Sequence, residues 1–394
     1  MRQFKKMLVK LSELERRKRY LKKKMRLRRQ RHLKLEVNTA MKRLFKKQQN
    51  LFFLSLVCFI CLGLIIFFVY GLSPNKEPLA NETLENNVSL TQTEIIFRHP
   101  LTGKKSHQVI NKPSVYSVMV ENSADAWPLS GLEKAFLVIE APVEGNIPRF
   151  LAFYSSDVEV EKIGPVRSAR PYYLDWANEF FSLYAHVGGS DQALDLIASG
   201  ETFDLNQFFF GSFFWRSSDR FAPHNVYTSS ELLSQAFEQK KNKGYAREPL
   251  YEVWSFKDHL IPTNFHDVPE VSIQFSPVFG YEATWVYEPS MNRYERKQNG
   301  QKFLLQNGEM IFADNIAIMI TDITVINAIG HRSIRTLGQG EAIILQDGQI
   351  ILGSWKKNSV KNRLRFYDEN NQEIIWNPGI TWVEVVSLKE AVQF

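Results

Sequence analysis

The chain has 394 residues, of which 44% are hydrophobic and 23% are charged. This composition excludes a chain that is disordered throughout, because it supplies enough apolar side chains to fill a core. The net charge of +7 does not indicate a nucleic-acid-binding protein, because residues 1–50 hold 20 of the 49 Lys and Arg residues but only 3 of the 42 acidic residues. The remainder of the chain is therefore acidic.

Residues 51–70 contain no charged side chain. As a helix, a segment of this length spans about 30 Å, which matches the hydrocarbon core of a bilayer. The segment therefore predicts a single transmembrane helix. The basic residues 1–50 are then expected to stay in the cytoplasm and to bind anionic lipid, and the C-terminal body is expected to be exported. Residues 71–93, rich in Asn, Glu, Ser and Thr, predict a flexible stalk.

Both cysteines of the chain, Cys58 and Cys61, fall within this apolar segment. A lipoprotein signal requires small residues before the cysteine, but Leu56 and Val57 precede Cys58. A metal or redox site at this place would lie in lipid without further ligands. Both cysteines are therefore interpreted as small apolar residues of the membrane helix, and the exported body is expected to fold without a disulfide bond.

Strand and helix patterns alternate in residues 94–247. Apolar runs predict strands at 115–120, 136–140, 149–153 and 183–187. Helices are predicted at 171–181, 190–199 and 230–243, the last after a capping box around Ser229. Strands separated by helices predict an α/β-type sandwich domain for this region.

Residues 248–394 have short strand patterns and many turn signals. Strands are predicted at 271–275, 316–320, 342–345 and 382–386. The turn signals are Asn299-Gly300, Asn307-Gly308, Asp347-Gly348 and Pro378-Gly379. This pattern predicts a β-rich domain. The predicted fold class is therefore α+β, with a single N-terminal transmembrane helix, an α/β-type sandwich domain and a β-rich domain.

The candidate functional residues form two polar clusters in the first domain. Arg167 and Arg170 lie in a Gly/Pro turn before a predicted helix, where guanidinium groups and free N–H groups favour a phosphate or carboxylate. The second cluster surrounds His224. The candidate ligand-binding residues are Glu140, Glu144, Arg149, Arg167, Ser168, Arg170, His186, Ser190, Arg216, Arg220, His224 and Asn225.

Each candidate also has a structural interpretation. The arginines can pair with Glu140, Glu144, Asp191 or Asp219 and tie loops together. Ser190 is interpreted as a helix N-cap rather than a nucleophile, because no Gly-x-Ser-x-Gly elbow surrounds it. Glu140 and Glu144 could act as a pair in glycoside cleavage only if they flank one bond. No metal site and no cofactor is predicted, because the histidines are widely separated in sequence.

Trp355 and Trp376 stand beside polar turns in the second domain. Aromatic rings at such places can stack on sugars, but a Trp at the end of a strand is more often packed against a neighbouring layer. Packing is the favoured interpretation.

Several motifs resemble the YerB-like family of bacterial extracytoplasmic proteins, many of them lipoproteins. They include Glu140-Ala141-Pro142-Val143-Glu144-Gly145, Ile163-Gly164-Pro165-Val166-Arg167-Ser168-Ala169-Arg170, Ala222-Pro223-His224-Asn225, Gly353-Ser354-Trp355-Lys356-Lys357 and Asn377-Pro378-Gly379-Ile380-Thr381-Trp382. The resemblance covers about residues 98–387 and implies export and a two-part body. It implies no activity, because the family has no settled biochemical role. The anchor differs from that of lipidated relatives, because here a basic tail and an apolar segment take its place.

The order of elements around Arg167 is also similar to that of the LytR-CpsA-Psr phosphotransferases. Those enzymes usually follow their key arginine with Asp, whereas Ser168 follows here. The leading hypothesis is a membrane-anchored, non-enzymatic protein that binds an anionic or sugar-containing envelope component, such as a wall polymer, in an Arg/His-lined pocket. The alternatives are a wall-glycopolymer enzyme, either phosphotransferase or hydrolase, and a protein-partner scaffold without a small ligand.

Overall fold

The computed structural model describes residues 96–245, 251–258, 270–275 and 280–394. The predicted basic tail, transmembrane helix and stalk lie outside these residues. Within the described ranges, no helix is long and apolar enough to cross a membrane.

The described residues contain 22 strands and three α-helices, numbered in chain order. The strands of the first region are β1 Phe97–Arg98, β2 Lys105–Ser106, β3 Val115–Glu121, β4 Leu137–Pro142, β5 Pro148–Ser155, β6 Leu183–His186, β7 Asp204–Asn206, β8 Trp215–Arg216 and β9 Val226–Tyr227. The strands of the second region are β10 Val271–Gln274, β11 Glu282–Glu288, β12 Arg293–Gln298, β13 Gln301–Lys302, β14 Phe312–Ala313, β15 Asn315–Ile320, β16 Ile323–Val325, β17 Arg332–Ile334, β18 Gly338–Gln346, β19 Gln349–Lys357, β20 Arg365–Asp368, β21 Thr381–Val386 and β22 Val392–Gln393. The helices are α1 Pro171–Ala177, α2 Asp191–Ala198 and α3 Ser230–Lys241.

A ten-stranded mixed sheet contains strands from both predicted domains, in the order β20-β19-β18-β15-β21-β4-β5-β3-β6-β7. Strand β21 of the second region lies parallel to β4 of the first, with Glu384 opposite Glu140. The predicted α+β class is correct in its coarser form, since the body is β-rich with few helices. The predicted division at residue 247 separates two sequence regions whose strands complete one sheet.

Apolar layers cover both faces of the large sheet. On β5, Phe150 and Ala152 face one core while Leu151 and Phe153 face the other, as the period of two in a strand requires. A second sheet of order β13-β12-β11-β10-β22, with β14 on β12, contributes to the first core together with α3. Helices α1 and α2 contribute to the second core. Strands covered on both faces read as continuous apolar runs, which explains why they could be predicted.

Each predicted strand and helix lies within a few residues of an observed one, but the long strands β11, β12 and β19 were not predicted. The helix predicted at 171–181 ends at Ala177 and continues as a 3-10 turn, Asn178–Phe180. Ser229 caps α3 by accepting a hydrogen bond from the Leu232 amide at 3.2 Å. Trp355 and Trp376 are fully buried, so the packing interpretation of both is confirmed.

Strand direction places the functional candidates at one end of the sheet. Strands β3, β4, β6, β7, β15 and β21 all run the same way, so the loops that follow them lie at a common end, here called the carboxyl end. The first described residues lie at the opposite end, where His99 Nε2 is 3.4 Å from Ser155 Oγ at the end of β5. His99 therefore lies at the end of the sheet opposite the arginine-bearing loops.

Candidate functional site

Arg149 lies near the start of β5 and is only 7% exposed. Its Nη1 donates to the Ser168 carbonyl at 2.6 Å. Among the described residues, no carboxylate oxygen lies within 4.0 Å of its guanidinium nitrogens. Burial, together with the positive charges of Arg170 and Arg167, lowers the pKa of Arg149. A guanidinium nevertheless stays charged at neutral pH. Arg149 is thus a buried cation that no carboxylate contacts within the described residues, although its charge acts at longer range on Glu144.

Arg170 and Glu144 form a two-point ion pair. Nε and Nη2 of Arg170 each lie 2.6 Å from one oxygen of Glu144. Burial alone would raise the pKa of Glu144, but the hydrogen bonds and charge of Arg170 outweigh it and lower the pKa. The sequence left open that an arginine pairs with Glu144 and holds two loops together. Arg170 forms this pair.

Glu121, at the end of β3, joins the two predicted clusters. Its Oε1 lies 3.1 Å from Nε of Arg167, and its Oε2 lies 2.9 Å from Nδ1 of His224. Ser123 donates to the same carboxylate at 2.8 Å. The two polar clusters therefore meet in space, through a residue that the sequence did not single out. The sequence does contain a pattern that indicates Glu121: it is the one acidic residue of β3 and ends a run that is otherwise mostly apolar.

The remaining members of the second cluster hold loops together. Arg216 donates to the side-chain oxygen of Asn225 at 2.8 Å. Arg220 donates to the carbonyls of Trp127 and Pro128 at 3.0 and 2.6 Å. The Asn225 amide donates to two loop carbonyls. Arg216, Arg220 and Asn225 therefore shape the loop that presents His224.

Three other candidates make no ion pair with Arg149, Arg167 or Arg170. His186 is fully buried, with Nδ1 2.7 Å from the Gly188 carbonyl and Nε2 2.5 Å from Asp204. Ser190 is the N-cap of α2, as expected from the sequence, and its side chain accepts a hydrogen bond from the Ala193 amide. Glu140 is fully buried against Arg296, so it does not share an open site with Glu144. The serine-nucleophile and paired-glutamate arrangements are thus not formed by these residues.

The second region supplies two residues that the sequence did not indicate. Arg332 of β17 donates from Nε to the Val143 carbonyl at 2.9 Å and from Nη2 to Asn146. His331 Nε2 lies 3.7 Å from Glu144. No local signal marks them, because their role arises from contacts across about 190 residues of sequence.

Four arginines and two glutamates thus form what we call the arginine cluster: Arg149, Arg167, Arg170, Arg332, Glu121 and Glu144. With both nearby histidines neutral, the cluster carries two excess positive charges. Four surface cavities of about 350 to 620 Å³ are lined by residues outside the cluster. In the described ranges, no group of three or more His, Cys, Asp and Glu residues is arranged to hold a metal ion.

Comparison with known proteins identifies the family. Residues 101–245 match the N-terminal domain of a protein family of unknown function, DUF3048, and residues 271–383 match its C-terminal domain. The chain belongs to the DUF3048 family. It is 33% identical over 294 residues to "Putative lipoprotein YerB" of Bacillus subtilis (strain 168), an alignment that covers 74% of this chain and 86% of that protein. The predicted resemblance to YerB is therefore confirmed.

A solved family structure has the same fold. The crystal structure of YerB protein from Bacillus subtilis matches with a TM-score of 0.68 at 30% sequence identity. The match covers 75% of this chain and 99% of that chain. The family's two sequence domains meet between residues 245 and 271, whereas the large sheet joins strands from both.

Proposed function

We propose that this chain is a membrane-anchored extracytoplasmic protein that binds an anionic envelope component at the arginine cluster. Its relative is named a putative lipoprotein, which supports an exported body held at a membrane. The apolar residues 51–70, preceded by a basic tail, supply an anchor as a single-pass helix with a cytoplasmic N-terminus.

The observation that carries the proposal is the guanidinium of Arg149, which is buried and which no carboxylate of the described residues contacts within 4.0 Å. A buried charge without a partner is costly, because it gives up water without gaining an opposite charge. Glu144 acts on Arg149 at longer range but is paired directly with Arg170, so a phosphate or carboxylate ligand would supply the direct contact. Arginine binds such groups through two parallel hydrogen bonds. The two excess positive charges of the cluster attract the same ligands.

The position of the cluster suits a large ligand. Arg149 and Ser155 are six positions apart on β5, and Ser155 lies beside His99. At about 3.3 Å per residue, Arg149 therefore lies roughly 20 Å from Ser155. A ligand at the cluster would lie away from residues 96–99, which are the described residues nearest in sequence to the proposed anchor.

One observation favours an enzyme as the second candidate. Glu121 orients the His224 imidazole through Nδ1, and the His224 side chain remains 22% exposed. A histidine oriented by a carboxylate is the arrangement of a general base. An enzyme acting on an anionic glycopolymer would use His224 in that role.

The test measures binding by the full chain, held in nanodiscs of zwitterionic lipid. Equilibrium dialysis with radiolabelled trigalacturonate and with triglutamate blocked by N-acetylation and C-amidation measures the affinity for two anions that carry three carboxylates each. Arg149→Gln is expected to weaken both by about ten- to a hundredfold, because a hydrogen bond to a charged group is worth about 1.5–3 kcal/mol.

Arg98→Gln is the matched control, because Arg98 lies at the opposite end of the sheet and pairs with Asp258. Its affinity for both probes is expected to equal that of the unaltered chain. Unchanged binding in Arg149→Gln would refute the proposal. New products from trigalacturonate would favour the enzyme.

A further inference from the structure

Phe208 is a large aromatic residue that is both exposed and held in place. It is 67% exposed and follows β7 at the carboxyl end of the sheet. Its amide donates to the side-chain oxygen of Asn206 at 3.2 Å, and the Gly188 amide donates to the same oxygen at 3.1 Å. One buried asparagine therefore ties the Phe208 turn to the Gly188 turn.

The Phe208 ring lies directly on Gly188. A β-carbon at residue 188 would lie 2.7 Å from Cε2 of that ring, and the backbone there has a φ of +59°. Both facts require glycine at this position. The ring is thus seated against the backbone, unlike an exposed side chain that moves freely in solvent.

The Gly188 turn also supports the arginine cluster. The Gly188 carbonyl accepts a hydrogen bond from the Ala169 amide at 3.0 Å, and Ala169 bridges to Gly189. Ala169 is followed in sequence by Arg170, the partner of Glu144. An exposed aromatic ring is therefore coupled through two hydrogen-bonded turns to the groups that bind the anion.

We propose that Phe208 stacks against a sugar ring of an acidic glycan whose charged group binds the arginine cluster. This inference rests on the proposed function and narrows its ligand class. The face of an aromatic ring carries partial negative charge. It therefore attracts the weakly positive C–H groups on the face of a pyranose, and the contact also removes apolar surface from water.

Phe208 offers an exposed ring for sugar stacking, unlike the two tryptophans that the sequence indicated as candidates. Trp355 and Trp376 are fully buried and offer no face to a ligand. Phe209 and Phe221 are 80% and 93% exposed, which adds apolar surface at the same end of the molecule.

The experiment compares Phe208→Leu with the unaltered full chain in the same nanodiscs and with the same two probes. Trigalacturonate presents pyranose rings, whereas triglutamate presents carboxylates without sugar rings. Phe208→Leu is expected to lower the affinity for trigalacturonate about two- to tenfold, because contacts to an aromatic ring are typically worth that much. It should leave triglutamate unchanged, and Phe208→Tyr should retain full affinity for trigalacturonate.

Phe394→Leu is the control, because Phe394 is 54% exposed after β22 of the second sheet. It should change neither affinity. An equal loss for both probes in Phe208→Leu, or no loss for either, would overturn the stacking role. If Arg149→Gln still weakened both probes, the proposed function would stand without it. If the unaltered chain bound neither probe, both proposals would fail.

Discussion

A charged group of three residues lies in the interior between the two sheets. Arg296 of β12 and the neighbouring carboxyls of Glu140 and Glu384 are all fully buried. The Arg296 guanidinium carbon lies 5.0–5.7 Å from four aromatic ring centres, those of Phe150, Trp285, Phe303 and Trp382. A single guanidinium cannot neutralise two carboxylates in so apolar a place, so one carboxyl must hold a proton.

Glu384 is the carboxyl that holds the proton. Burial raises the pKa of both carboxyls, and the charge of Glu140 raises that of Glu384 further. Glu140 lies 2.9 Å from Nη2 of Arg296, which favours its charged form. One carboxyl oxygen of Glu384 accepts a hydrogen bond from Trp285 Nε1 at 2.8 Å. The other oxygen carries the proton and donates a hydrogen bond to Glu140.

Glu384→Gln should flatten the dependence of stability on pH. Because the folded-state pKa of Glu384 is raised, its contribution is full below the unfolded value of about 4.3 and is lost as the pH rises towards the folded pKa. Glutamine stays neutral at every pH, accepts from Trp285 and donates to Glu140. The Tm of the variant is therefore expected to exceed that of the unaltered body at about pH 9, by the equivalent of about 1–3 kcal/mol.

Glu140→Gln is the contrasting variant for this measurement. It removes the carboxylate that contacts Arg296 at 2.9 Å, and so it is expected to lower stability by about 3–5 kcal/mol at a pH where Glu384 is protonated. Equal effects of the two glutamine variants would show that the proton is not held on Glu384.

At the level of single residues, the sequence identified the cations of the site better than its anions. Arg167 and Arg170 stand in a Gly/Pro turn, a local signal that can be read without a structure. Glu121 and Arg332 act through contacts with residues far away in sequence, and no local pattern records such contacts. Arg149 could be named as a candidate, but its burial without a contacting carboxylate among the described residues appears only in three dimensions.

A second buried charge network joins an element of the first region to one of the second. Glu179, in the 3-10 turn after α1, is 1% exposed. It lies 3.0 Å from Lys357 Nζ at the end of β19 and 2.6 Å from Arg363 Nη1. It also accepts from the Leu364 amide at 3.1 Å. Burial lowers the pKa of Arg363, and the negative charge of Glu179 offsets part of this shift.

Glu179→Gln should destabilise the body by about 3–5 kcal/mol, because it leaves two buried cations without an anion. Urea unfolding followed by tryptophan fluorescence measures this difference. Glu238→Gln removes a comparable charge from the exposed Glu238–Lys241 pair at 3.8 Å. It is expected to cost no more than about 0.5 kcal/mol. A loss at Glu179 as small as that at Glu238 would mean that the network does not join the two elements.

The sequence predicted several buried strands, but it missed the long strands β11, β12 and β19 and it did not predict the order of the strands. Runs such as β4 and β21 are buried along their whole length and so read clearly as strands. Their pairing with each other brings residues about 244 positions apart into register, as Leu137 and Thr381 show. Strand order depends on such long-range contacts, which periodicity within a short window cannot report.

For the whole molecule, the shared sheet makes each region depend on the other. Strand β4 lies between β5 and β21, and all of its residues are buried. Without the second region, β4 would become an exposed apolar edge, which promotes aggregation. One core would also lose the side chains of Trp285 and Trp382.

Residues 94–247 and 248–394, expressed separately, are therefore expected not to fold. Each should lack a cooperative thermal transition in circular dichroism, whereas co-expression should yield a one-to-one complex on size-exclusion chromatography. The expectation follows from the β4–β21 pairing, since every strand on either side of it belongs to one fragment. Residues 94–394 left intact serve as the reference for Tm. If residues 94–247 alone unfolded cooperatively near the reference Tm, the two sequence regions would be independent domains, and the sheet contact between them would be a docking of folded parts.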